Sequence, residues 1–258
     1  LEDHATYLRL LTKTINQVLQ TPGRQVQSVA QASFDAWVKY YRQDENTPNS
    51  TVSYYTKGAL VGLCLDLALR REGRTTLDDV MRALWQRTGG GPMAETDLLA
   101  VLQELSGRDW SGEIGQWAHG TAELPLAELL AAHGIRLQAE PAQIAQRLGL
   151  RVNENHGVHI KTVLRGGAAE AAGFMAGDEW LALETPGQAW RLHKLDDVPL
   201  YAASATQITA LVARDQRLMR LALTLPGAGA ASDTVRLDVQ DAAAAQRWLG
   251  PAQPGPQA

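Results

Sequence analysis

A chain of 258 residues has room for one large or two ordinary domains, each able to bury a working core. With 45% apolar and 20% charged residues it reads as a soluble globular protein, and a formal net charge of −4 excludes a nucleic-acid binder acting through bulk charge. No run approaches the roughly 18 apolar residues of a membrane span, and the single cysteine, Cys64, leaves no partner for an intramolecular disulfide.

Helical spacing of Leu8, Leu11, Ile15, Val18 and Leu19 predicts an amphipathic helix over Thr6 to Leu19, stopped by Thr21-Pro22-Gly23. A second apolar segment, Gln27 to Arg42, carries Val29, Phe34, Trp37, Val38 and Tyr41. A polar loop with Asn46, Pro48, Asn49 and Ser50 then leads to Ser53, a good N-cap, and to a run from Ala59 to Leu69 that is apolar nearly all round. Such a run marks a helix at the centre of a bundle. Thr75-Thr76-Leu77-Asp78-Asp79 opens the next helix, with Val80, Met81, Leu84 and Trp85 as its apolar face and Gly89-Gly90-Gly91-Pro92 as its end. No strand precedes those glycines and no Gly-Lys-Ser/Thr follows, so they connect helices rather than cradle phosphate. Thr96 caps a helix with Leu98, Leu99, Leu102 and Leu105 facing in. Trp110, Ile114 and Trp117 continue the core, and Leu124 to Ala132 forms a last short helix. Through Gly134 the expectation is an all-α helical bundle.

Beyond Gly134 the pattern becomes short and alternating, as half-buried strands require. Arg147 to Val152 and Gly157 to Val163 read as strands, Gly166 to Gly173 as a short helix, and Ala176 to Leu183 as a turn and strand. Ser204 to Ala213 reads as a helix and Leu218 to Leu225 as a strand. After a small-residue linker, Thr234 to Val239 is a strand and Ala242 to Leu249 a helix with Trp248 docking back. The fold class expected is multi-domain, all-α followed by α+β. His156 and His159 fall on a predicted turn and strand, where positions three apart point to opposite faces, so no metal site is expected in the chain.

The phrase Tyr55-Thr56-Lys57-Gly58 stands at the first turn of the central helix. A phenol, protonated at neutral pH, can donate a hydrogen bond to an oxyanion, and the helix N-terminus adds positive partial charge there. From spacing alone, Tyr54 and Tyr55 can equally be two aromatics anchoring a helix start. With the flanking words KYYRQDENTPN (Lys39 to Asn49) and SYYTKGALVGLCLDL (Ser53 to Leu67), the stretch resembles the glycyl aminopeptidases, metallopeptidase family sixty-one of the gluzincin zinc peptidases.

The wording GGAAEAAGFMAGDEWLAL, Gly166 to Leu183, resembles a PDZ domain, which members of that family carry after the catalytic part. The resemblance implies Tyr55 as oxyanion donor and peptides as substrates, with glycine preferred at the N-terminus. It places the zinc motif upstream of Leu1, making the chain an inactive carboxy-terminal part whose parent holds zinc, and it suggests a periplasmic or cell-envelope location while leaving a cytoplasmic one open. It also implies a groove for a C-terminal peptide, lined by Arg147, Leu148, Gly149 and Leu150 with Ser204 and Gln207 on a facing helix. Gly149 alone reads equally as an ordinary turn glycine.

The organisation expected is 1–134 helical, 135–226 PDZ-like, 227–250 a terminal strand and helix, and 251–258 a disordered tail. The alternative from another class is a non-catalytic scaffold presenting a PDZ module.

Overall fold

The computed structural model describes residues 3–227 and 234–250; the expected linker residues 228–231 and the tail 251–258 lie outside them. The first body is helical: α1 (His4–Leu19), a 3-10 turn (Pro22–Gln25), α2 (Val29–Phe34), α3 (Thr47–Ser50), α4 (Tyr54–Glu72), α5 (Leu77–Thr88), α6 (Glu95–Ser106), α7 (Ser111–Ile114), a π-turn (Gly115–His119) and α8 (Leu126–Ala132). α4 is its axis. Ser53 Oγ accepts from Thr56 N at 3.4 Å to start it, and Gly73, at φ 74°, ends it in the left-handed conformation that a side chain would resist. Between them Leu60, Cys64, Leu67 and Leu69 are buried against Ile15, Val80, Val101, Trp110 and Leu130. Burial pushes the Cys64 thiol up to about 12, so it packs as a small apolar group.

Two apolar segments behave differently from their sequence patterns. α2 stops at Phe34, residues 35–42 run on in turns, and Phe34, Trp37, Val38 and Tyr41 face solvent instead of the core. On α5, Val80 and Leu84 point inward while Met81 and Trp85 are exposed. A step of one residue turns a helix by about 100°, enough to carry 81 and 85 off the buried stripe.

The chain continues through β1 (Ile135–Ala139), α9 (Ile144–Leu148), β2 (Leu150–Asn153), β3 (Val158–Val163), α10 (Ala168–Ala172), β4 (Glu179–Thr185), β5 (Gln188–Arg191), α11 (Asp197–Ala202), β6 (Gln207–Arg214), β7 (Arg217–Thr224), β8 (Val235–Val239) and α12 (Ala242–Leu249). β2-β3-β4-β6-β7 form an antiparallel sheet, with β5 added on β4. Its core gathers Leu148, Val158, Trp180, Leu183, Val198, Ala210 and Val212. β1 and β8 pair separately, Ile135 opposite Val239 and Ala139 opposite Val235, and with Ala245 and Trp248 they pack into the helical core. The sheet-bearing segment is thus inserted between two strands of the first body.

The helix expected over Ser204 to Ala213 is instead strand β6, and the helix lies earlier, at Asp197–Ala202. Ile208, Ala210 and Val212 are buried in strict alternation, and β6 pairs along its whole length with β7 and along most of it with β4. That central pairing overrides the helix preference of its alanines.

A buried asparagine ties the bodies together. Asn49 Nδ2 donates to Val163 O at 2.8 Å while its Oδ1 accepts from Arg165 N at 2.9 Å, completing two backbone groups that strand β3 leaves open. Within the helical body the half-buried Asn16 does the same for Val235, its Nδ2 donating to Val235 O at 2.8 Å and its Oδ1 accepting from Val235 N at 2.7 Å.

Candidate functional site

Tyr55 stands on the first turn of α4, 56% exposed, with its hydroxyl 3.2 Å from that of Tyr41, which in turn lies 3.3 Å from the Tyr54 hydroxyl. The Tyr54 and Tyr55 rings are 4.3 Å apart, Tyr40 packs edge-on to Tyr54, and Trp37 covers Tyr41. Hydrogen bonding to Tyr41, and then to Tyr54, holds the Tyr55 phenol below its ordinary value, while the same network raises Tyr54. Tyr55 is thereby a better proton donor than Tyr54, and it is the more exposed of the two.

Lys57 points the other way. Only 3% exposed, its Nζ donates to Arg24 O at 3.1 Å, and burial lowers its pKa against the opposing pull of Glu123. Arg24 Nε in turn bonds Glu123 at 2.9 Å. Lys57 therefore grips the 3-10 turn rather than facing a ligand. The grip is tight: a Cβ on Gly23 would fall 2.0 Å from Thr51 O, so only glycine lets the turn lie against the loop that leads to Tyr55.

The structure separates the peptide-groove residues expected from the sequence. Arg147 and Leu148 end α9, Gly149 caps it at φ 72°, and Leu150 begins β2. The Arg147 and Gly149 N–H groups donate to Gln143 O and Gln146 O, so they are committed within α9 rather than free to hold a carboxylate. Ser204 and Gln207, lacking the expected helix, sit at the start of β6; Gln207 lines a different hollow beside Thr224. Arg147, Gly149 and Leu150 instead border a cleft of about 540 Å³ whose far wall is Leu19, Gln20 and Pro22 of the helical body. Arg151 and Arg165 join them there. Sequence reasoning passed over these two; Arg151 left one trace, the stretch Gln143 to Asn153 without an acidic residue, and Arg165 left none.

Among the described residues no three His, Cys, Asp or Glu side chains come together in a way that holds a metal ion. The donor set of the described residues does not fit a catalytic zinc. Among the same residues, no helix is long and apolar enough to cross a membrane.

With this geometry in view, the comparisons with known proteins are informative. The family model described as M61 glycyl aminopeptidase matches residues 1–61, which include Tyr55 and Lys57. Among solved structures, the chain is similar to an aminopeptidase N family protein from Idiomarina loihiensis, with a TM-score of 0.85 at 30% identity over 97% of this chain. It spans 45% of that protein's chain. No curated protein matches. Both similarities are to proteins described as aminopeptidases.

Proposed function

We propose that this chain is the carboxy-terminal part of a zinc aminopeptidase of the glycyl aminopeptidase type, releasing small N-terminal residues, glycine foremost, from peptides. One observation carries the reading: a solvent-open phenol with a lowered pKa, at the N-terminus of a buried helix, inside the segment that resembles the family. As a scissile carbonyl becomes tetrahedral its oxygen gains charge, and Tyr55 donates a hydrogen bond to it. Tyr41 and Tyr54 orient the phenol, and the first turn of α4 adds favourable potential. Zinc, by resemblance, belongs to residues outside this chain, which alone hydrolyses nothing.

The body between β1 and β8 is read as PDZ-like, a reading supported by its antiparallel sheet and the Ala172-Gly173-Phe174 turn into Asp178. The non-catalytic scaffold alternative draws its support from the arginine-bordered cleft alone.

The test is Tyr55→Phe in the peptidase that contains this chain. kcat is expected to fall by about 10² to 10³ with little change in KM; a fall under about tenfold removes Tyr55 from the oxyanion role.

A further inference from the structure

Lys57 and Tyr55 lie two residues apart at the head of α4 and enter different surroundings, one buried and one open. A circuit of hydrogen bonds rejoins them. Lys57 Nζ donates to Arg24 O at 3.1 Å and so fixes the 3-10 turn to the helix. Gln27 follows that turn, with its N–H donating to Gly23 O at 2.9 Å. Its side chain, 4% exposed, donates from Nε2 to Asp35 Oδ2 at 3.1 Å. Asp35 caps the end of α2 and opens the aromatic loop: its carbonyl accepts from Val38 N and Lys39 N at 3.0 and 2.9 Å, and the same Oδ2 accepts from Lys39 Nζ at 2.7 Å. The loop then returns to α4, where the Tyr41 hydroxyl meets that of Tyr55 at 3.2 Å.

Two observations make the polar bonds the anchor of this loop. Between Phe34 and Arg42 only Ala36 is buried, and Phe34, Trp37, Val38 and Tyr41 are exposed, so apolar packing does little to hold it. Gln27, in contrast, is buried although its Oε1 has no hydrogen-bond partner among the described residues. An apolar side chain of the same length would fill that space without the unpaired carbonyl. What glutamine adds is the donor that reaches Asp35.

We propose that Gln27 and Asp35 are positioning residues for Tyr55: on a frame that Lys57 fixes to α4, they hold the loop from which Tyr41 reaches the phenol and sets its direction. Only the use made of Tyr55 rests on the peptidase reading; the frame is a property of this chain. The frame also gives the Tyr-x-Lys spacing a physical reason. Positions two apart on a helix are turned by about 200°, so one side chain faces the reacting group while the other reaches the turn behind it.

The test follows each phenol by nuclear magnetic resonance in the chain isotopically labelled at tyrosine Cζ, with the Tyr55 signal assigned by its loss in Tyr55→Phe. The phenols facing Tyr55 are Tyr54 on its own helix and Tyr40 and Tyr41 on the loop, and the bond to Tyr41 is the larger cause of its lowered pKa. Gln27→Met removes the donor to Asp35 together with the unpaired carbonyl; Asp35→Ala removes the acceptor at a half-exposed position. Each is expected to move the Tyr55 ionisation to higher pH, as Tyr41→Phe does, and to add nothing when combined with Tyr41→Phe. Gln27→Met is expected to denature no more readily than the wild type, which separates positioning from stability. A Tyr55 ionisation unmoved in both variants overturns the proposal, as does a shift of full size in the Tyr41→Phe background. Unfolding of Gln27→Met overturns the part played by Gln27 and leaves Asp35→Ala to decide the rest. In the peptidase that contains this chain, both variants are expected to lower kcat about tenfold with KM little changed, and to carry the alkaline limb of kcat/KM upward. A rate that ignores Tyr55→Phe ends the catalytic reading, and the titration still judges the frame. A rate that depends on Tyr55 but ignores both frame variants overturns the proposal.

Discussion

The two bodies leave opposite things unsatisfied. The helical body pairs its charges and exposes apolar surface, with Phe34, Trp37, Val38, Tyr41 and Tyr55 open on the face around the head of α4. Among its described residues the sheet body exposes no aromatic face of that extent, and at its border Arg147 and Arg151 bond to neutral oxygens rather than to carboxylates. They also hold their charges differently. Helical-body pairs such as Arg71 with Glu128 are solvent-exposed, where a pair contributes about 0–1 kcal/mol. In the sheet body Asp178 is fully buried and bonded at 2.7 and 2.8 Å to Arg214, with its Oδ2 also accepting from Met175 N. In the sheet body the acid of the pair is sealed from water, whereas Glu123 and Asp66, paired with Arg24 and Arg70 in the helical body, keep contact with it.

Arg214→Met is the strongest test of that contrast. It strands a buried carboxylate and is expected to cost about 3–5 kcal/mol in chemical denaturation, against at most about 1 kcal/mol for Arg71→Met. Similar losses for the two would erase the distinction. Next in size is the joint between the bodies. Asn49→Ala leaves Val163 O and Arg165 N without partners and is expected to cost about 1–3 kcal/mol, seen as sheet-body signals melting ahead of helical ones. An unchanged, coincident transition would mean that the joint carries no coupling.

The subtlest effect concerns the tyrosines. Protonated Tyr55 is the donor, so activity is full below its pKa and falls as pH rises through it. That pKa is depressed first by Tyr41, so Tyr41→Phe should move the alkaline limb of kcat/KM to higher pH in a peptidase containing this chain. A limb that stays in place would detach Tyr41 from Tyr55.

What the sequence made legible was local. Ser53, the apolar run behind it and Gly73 announced α4 because caps and periodicity act over a few residues. Thr76 announced α5 in the same way, with Asp79 closing the capping box. Tyr55 was legible as a candidate because the phrase around it is contiguous. Long-range pairing was not legible. Nothing local to Ile135 says that its partner is Val239, and Ala210 reads as helix until β4 and β7 flank it. The gathering of Arg151 and Arg165 beside Arg147 was hidden for the same reason, since it depends on how distant segments fold together.

The pairing of Ala139 with Val235 also describes how the molecule is assembled as a graft. Neighbouring strands lie about 5 Å apart, so everything between these two residues leaves and re-enters the helical core through a single narrow doorway. An insertion framed in this way can be lengthened, shortened or exchanged without moving α4. Beyond the doorway, the Asn49 bonds to Val163 and Arg165 are what such an exchange would have to rebuild.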